Sequence, residues 1–356
     1  MPIPSSLTLN YDAVLSSTLM NLHKSGTLFD QLSTSNAFLF KLMKQNKSYT
    51  GGAEGERMRC SLLYEFGPGD VYSGYDTLGV TPSDGMTTAF FNWGQMAVEI
   101  AISGKEEREN ASSATRVFDL LKAKTKQATL KSQDLFARAL LQGNGPNSAT
   151  AIATAYTSTT NGAVFIDPLP LIVHGTPSSS VSVGNINQLT YSWWRNQMFD
   201  SISTTFAGFL KETDRLYNNC TKGPGGRPDL HLTDQFVYEL YVAALRNQNR
   251  FTDYNKADIP FENIAFHGQP VTWDEFVPDV GNGTITSIPV AASGTWYMLN
   301  TQFFQIKHFL DFEPTPFIKP ENQDAKVSHI LWHGGMACSN RRKSGVMKGI
   351  DTTIAS

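Results

Sequence analysis

Charge is scarce in this 356-residue chain, and neither sign dominates. Charged residues make up 17%, with 29 Lys and Arg against 32 Asp and Glu and a net charge of -3. That balance excludes the broadly basic surface that drives tight nucleic-acid binding. Cysteine is scarce as well. Cys60, Cys220 and Cys338 are odd in number and far apart, without CxxC spacing, which excludes a disulfide framework and a zinc site and leaves small core residues. No apolar run approaches the roughly 20 residues of a membrane span. The segment MPIPSSLTLN lacks a basic stretch ahead of an apolar one, so synthesis and folding in a cytoplasm are expected. HExxH, GxSxG and GxxxxGK[ST] are all missing, and Gly223 to Gly226 lacks the strand-before, helix-after setting of a phosphate loop. His329 and His333 sit in a strand-like stretch with no third ligand, and the carboxylates of Asp311 and Glu313 have no cleft specified for them. No catalytic residue, cofactor or metal is therefore expected. No repeat of 20 to 50 residues is present either.

What the chain does have is one long helical pattern, residues 112–142. Val117, Leu121, Ala128, Leu135 and Ala139 recur at helical spacing, while Lys122, Lys126, Lys131 and Arg138 fall mostly off that stripe. Ser112 is the expected N-cap, and Gly143 before Pro146 the stop. At 1.5 Å per residue the helix is about 45 Å long, the length of a spine rather than of an average core element.

Before it, residues 1–50 mix short apolar clusters (Leu15, Leu19, Leu22; Phe38, Leu39, Leu42, Met43) with Ser, Thr and Asn, the pattern of an arm that packs on something else. Gly51-Gly52 punctuates. Two strand-like runs follow, Glu56 to Phe66 and Val71 to Leu78, joined by the turn residues Gly67-Pro68-Gly69-Asp70, and they read as a long hairpin with little to bury. An isolated hairpin is marginal in water, so it needs a partner surface. Met86 to Ile102 then reads as one strand that delivers the spine. Past Gly143 the residues turn small and polar, and a second lobe begins: helical runs near Phe199 to Tyr217 and Thr233 to Arg246, strands around Ile264 to Trp273, and a C-terminal return through VSHILWHGG. Mixed elements without βαβ regularity give an α+β class. Arg341-Arg342-Lys343 is the densest basic cluster, and three charges are weaker than a nucleic-acid patch.

This order resembles the major capsid proteins of tailed bacteriophages, whose shell fold is shared with herpesvirus floors and encapsulins. Particular residues sharpen the resemblance: Tyr49-Thr50-Gly51-Gly52; Ile102-Ser103-Gly104-Lys105-Glu106 leading to Asn110; Trp193-Trp194-Arg195-Asn196; Pro228-Asp229-Leu230; Val271-Thr272-Trp273-Asp274; Tyr297-Met298-Leu299-Asn300; and Arg341-Arg342 with Gly345. The resemblance implies an N-terminal arm (1–50), an extended hairpin loop (51–80), a peripheral domain (81–145 and 296–356, with the spine helix 112–142) and an axial domain (146–295). It implies a structural protein, not an enzyme, that self-assembles through hexamers and pentamers into an icosahedral virion shell around packaged double-stranded DNA, formed in a bacterial host cytoplasm. Its partners would be further copies of itself, a portal, a separate scaffolding protein and, as an optional addition, a cement or decoration protein; contact with DNA would be non-specific, and no membrane would be involved. Glu56, Arg57, Arg59, Glu65 and Asp70 are the candidate intersubunit contacts. The arm is poor in charge, its first acidic residue being Asp12, so no fused scaffold or protease-removed segment is expected. The hairpin has no Lys between Gly51 and Gly79, so Lys-to-Asn stitching of the shell, used by some members, is not expected. The alternatives are an encapsulin-like nanocompartment shell and, from another class, a cytosolic hydrolase with an unrecognised site.

Overall fold

The computed structural model describes residues 48–50, 55, 57–67, 69, 71–77, 79, 84–110, 114–142, 166–246, 264–277 and 294–354, together with Phe38, Lys41 and Leu42. Two compact units divide the chain. One comprises Met1–Thr34, Met96–Phe136 and Leu310–Trp332, and the other the remaining segments.

In the first unit, strand β4 (Gly94–Ser103) runs into a short helix, α1 (Gly104–Asn110), and then into the spine, α2 (Ala114–Gln142). The step from β4 to α1 is a capping box. Glu106 accepts from the Ser103 backbone N–H at 3.0 Å, while the Ser103 hydroxyl accepts from the Glu106 N–H at 3.2 Å. Val98 and Ile100 of β4 pack with Ala128 and Leu135 of α2 and with Ile330, and Phe136 meets Trp332 edge-on at 4.8 Å. The described buried side chains of α2, among them Leu120, Ala123, Ala128, Ser132 and Phe136, trace a helical stripe. Ala128 and Ala139 of the expected stripe are buried and Leu135 half-buried; Ser112, Gly143 and the Val117 and Leu121 side chains lie outside the described residues.

In the second unit a six-stranded sheet has the order β7-β14-β11-β8-β10-β9, formed by β7 (Gln197–Asp200), β8 (Leu230–Thr233), β9 (Ile264–Phe266), β10 (Gln269–Trp273), β11 (Gly294–Leu299) and β14 (Gly345–Ile350). Its pairings are mixed. β14 runs parallel to β7 and β10 parallel to β8, whereas β11 is antiparallel to both its neighbours. Two helices lie on it, α4 (Phe206–Thr221) and α5 (Gln235–Arg246), burying Phe209, Leu216, Val237, Leu240 and Tyr241 against Val271, Trp296, Met298 and Met347. Thr205 caps α4 and Asp234 caps α5; the other Asp234 oxygen accepts from Thr295 N at 2.6 Å, so one carboxylate sets both the helix start and its distance from β11. A methyl group at Gly294 would overlap Val237, which is why β11 begins with glycine. A further short helix, α3, covers Leu169–Ile172, and β5 (Ser182–Val183) pairs antiparallel with β6 (Ile186–Asn187). A four-stranded sheet, ordered β1-β12-β13-β4, adds β1 (Ser48–Thr50), β12 (Phe304–Pro314) and β13 (Ala325–Cys338). The α+β class holds.

Two expectations are corrected. Val71 to Leu78 is not the second strand of the hairpin: the partner of β2 (Met58–Leu63) is β3 (Met86–Phe91), in antiparallel register from Met58↔Phe91 to Leu63↔Met86. The glycines around 71–77 break any alternation, and Asp76 closes a tight turn by accepting from Ser73 N at 2.8 Å, whereas MTTAFF is β-branched and aromatic and brings Ala89 and Phe91 to the buried side. Nor is Met86 to Ile102 one strand, because the chain breaks at Asn92-Trp93 between β3 and β4.

Candidate assembly surface

The β2–β3 hairpin has two unlike faces. Met58, Cys60 and Leu62 alternate inward and join Ala89, Phe91, Leu171, Val183, Ile186, Trp194 and Ala337 in one core. This corrects the reading of a hairpin with little to bury. The approach of β13 to that core is close: a methyl group at Gly335 would lie 2.8 Å from the Asn92 carbonyl oxygen and overlap Met58. On the outer face the cross-strand pairs are Arg59 with Phe90, whose ring centroid lies 6.0 Å from the guanidinium carbon, Ser61 with Thr88, and Leu63 with Met86. That last pair faces water, Leu63 at 68% and Met86 at 73% exposure.

Beyond it lies the loop 64–85, whose described apolar side chains are uncovered. Phe66 is 78% exposed, Val71 and Tyr75 fully so, and Tyr64 and Tyr72 are exposed too. That is a large amount of apolar surface for one excursion of a single subunit to leave uncovered. The loop is also one-signed, with Glu65, Asp70, Asp76 and Asp84 and no Lys or Arg between residues 64 and 85.

The floor under the hairpin is polar and largely tied by hydrogen bonds. Arg341, completely buried, donates to Ile172 O (2.6 Å), Trp194 O (3.1 Å), Gln188 Oε1 (3.0 Å) and Asn196 Oδ1 (3.2 Å) and lies over the Trp194 ring. Asn196 also brackets His174, accepting from its N–H and donating to its carbonyl. Burial and the nearby Arg341 charge push the His174 imidazole down to about 4. Burial pushes the Asp167 carboxyl up to about 7, although it accepts a backbone N–H from Asn92 at the end of β3. Trp194 Nε1 donates to Val183 O at 2.8 Å. The basic run at 341–343 is thus spent inside, since Lys343 is buried as well and only Arg342 is exposed.

Of the candidate contacts, Arg57, Arg59 and Glu65 are exposed on or beside the hairpin, and Glu56 and Asp70 lie outside the described residues. Charge alone missed the apolar strip; its signal was there in Leu63, Phe66, Val71, Tyr72 and Tyr75 set among glycines with no helical or strand period. His329 and His333 both lie on β13, where the His333 ring meets Phe309 at 5.1 Å and Trp93 at 6.1 Å. Among the described residues no group of three or more His, Cys, Asp or Glu could hold a metal, and no helix is long and apolar enough to cross a membrane.

The fold these elements compose is that of the major capsid proteins of tailed phages. The chain is similar to a subunit of the cyanophage A-1(L) capsid asymmetric unit, with a TM-score of 0.61 and 15% identity over 91% of this chain and 95% of that one. It is similar to the capsid protein of Myoviridae phage XM1 (TM-score 0.55, 12% identity, 93% and 98% covered) and to that of an empty GTA particle (TM-score 0.55, 15% identity, 95% and 98% covered). No protein-family model and no curated protein matches the sequence.

Proposed function

We propose that this chain is a structural shell subunit, and that its copies close into an icosahedral capsid around packaged double-stranded DNA. The observation that carries the reading is the uncovered apolar strip of Leu63, Tyr64, Phe66, Val71, Tyr72, Tyr75 and Met86 on a loop projecting from a buried hairpin base. A second copy of the same chain is its occupant, and the arm, loop, peripheral and axial divisions follow the shell fold. The six-stranded sheet draws β14 and most of β11 from beyond residue 295, so in this reading the axial layer takes both strands with it. Arg57, Arg59 and Glu65 set the register of the contact, with Glu56 and Asp70 beside them. The shell does no catalysis and meets DNA through non-specific backbone electrostatics; portal, scaffolding and cement proteins complete the virion.

The test is size. Purified chain, alone and co-expressed with its neighbouring head genes, should give hexamers, pentamers or megadalton shells by size-exclusion chromatography and negative-stain imaging. A species that stays near 39.3 kDa in both preparations would overturn the reading.

A further inference from the structure

We infer that Trp193 is a positioning residue: its indole is the rest against which the extended loop leans, so that the loop meets a second copy at one inclination. The last clause rests on the assembly reading above; the first does not.

Tyr64, the first residue after β2, joins the neck of the loop to the body. Its ring stacks on Trp193 at 4.9 Å and 18°. Its hydroxyl donates to Asp84 O at 2.5 Å and its N–H to Gly85 O at 3.0 Å, across the neck. The neck is tight, since a methyl group at Gly85 would lie 2.5 Å from the Glu65 carbonyl oxygen. Farther out the contacts are internal: Ser73 and Asp76 close their own turn, and the described residues from 65 to 79 are all exposed. Among the described residues, the Tyr64–Trp193 stack is therefore the outermost contact between loop and body. The rest itself is rigid. Trp193 packs on the hairpin core and lies 5.8 Å from Trp194, which the Val183 carbonyl and Arg341 hold. At a neck this tight, two stacked rings supply a flat stop against pivoting of the loop on the body.

The test measures inclination in unassembled full-length subunits. Spin labels at Ser73→Cys and Lys211→Cys report the distance from loop tip to body; Cys60, Cys220 and Cys338 are buried and stay unlabelled. The parent should give one narrow distance distribution. Trp193→Ala and Tyr64→Ala should broaden it at least about twofold, while Trp193→Phe and Tyr64→Phe, which keep the flat ring, should leave it narrow. Circular dichroism checks folding; if Trp193→Ala does not fold, Tyr64→Ala, at an exposed position, carries the measurement. An unbroadened distribution in the folded alanine variants overturns the positioning role. Broadening together with normal shell yield overturns only the clause about the second copy, and shells from a loop-shortened chain would overturn the assembly reading without touching the distances.

Discussion

The ammonium of Lys343 lies 2.7 Å from the carbonyl oxygen of Gly223 and 2.9 Å from that of Lys222, with Thr221 O at 3.4 Å, closing the C-terminal end of α4. Helix ends leave carbonyls unsatisfied and carry partial negative charge, so a buried cation there satisfies both. The Gly-rich turn makes room for it. Gly225 has φ 114°, and a methyl group there would lie 3.0 Å from the Phe303 ring and 3.1 Å from Lys343 Cε.

Lys343→Met should therefore destabilise the subunit by about 1–2 kcal/mol, because it takes the charged donor away from three carbonyls that water can reach only in part. Arg342→Ala, one residue away and exposed, should stay within about 0.5 kcal/mol. Chemical denaturation of both variants checks the contrast; equal losses would mean the run acts by charge and not by capping.

Shortening the loop from Phe66 to Asp84 to a tight turn should give a folded, soluble subunit that forms no shells, because every large apolar side chain described in that stretch is exposed. Removing Glu56 to Thr77 should instead unfold the protein, since it takes Met58, Cys60 and Leu62 out of the core, and large-to-small losses of such residues cost about 2–5 kcal/mol each. Melting curves and negative-stain images of the two deletions separate the cases.

That contrast also shows where the sequence was legible. The spine helix was plain because 29 residues keep one period, and α5 and β13 fell close to where their patterns ran; α4 starts only at Phe206, since Phe199 lies on β7. The hairpin partner was not, because pairing is set by a distant match. Met58 to Leu63 finds Met86 to Phe91 across more than 20 residues, and only the shared core beneath them chooses MTTAFF over the nearer Val71 run. Of the charged candidates, Arg57, Arg59 and Glu65 are exposed, as a polar run in a turn-rich stretch leads one to expect. Arg341 was not legible as structural, since nothing local to RRK announces the carbonyls of Ile172 and Trp194 that bind it.

Reversing Arg57 and Arg59 to Glu should lower assembly yield several-fold while the melting temperature of the isolated subunit stays near the parent's. Both side chains are exposed, and like charges misplaced at an interface cost more than they do in water. Light-scattering assembly traces check this. Unchanged kinetics would remove these arginines from the contact.

Two buried histidines weaken the subunit as pH falls, and two buried carboxyls weaken it as pH rises. His174 is held down to about 4 by burial beside Arg341 and Lys348, and His231 to about 3 by burial, with His267 and Lys41 adding to it. Each stays neutral in the fold but titrates near 6.5 when unfolded, so its contribution is full above 6.5 and is lost as pH falls toward 4, at about 1.4 kcal/mol per pH unit for each group. Asp167 and Asp274, raised by burial to about 7, act oppositely: their contribution is full below 3.8 and lost as pH rises toward 7. Because the two pairs act in opposite senses between pH 4 and 6.5, His174→Gln should tilt the pH dependence of unfolding toward greater relative stability at pH 4, and Asp274→Asn should tilt it toward greater relative stability at pH 7. A His174→Gln curve parallel to the parent's would show that the imidazole is not neutral in the fold.

Mature shells should carry no covalent links between subunits. Stitching a Lys amine to an Asn requires a hairpin lysine held deprotonated on a neighbouring subunit, and between Gly51 and Gly79 the chain has Arg57 and Arg59 but no Lys. A guanidinium stays protonated and cannot replace that nucleophile. Several described lysines elsewhere are engaged: Lys41 with Asp229, Lys124 with Glu106, Lys131 with Asp134, Lys348 with Asp200, and Lys343 with the end of α4. On the assembly proposal, noncovalent burial of the loop must then hold the shell. Boiling mature particles in detergent should give a single band near 39.3 kDa. A ladder of covalent pentamers and hexamers would show that another lysine reaches an Asn on its neighbour, and that the lysine-free hairpin does not decide the chemistry.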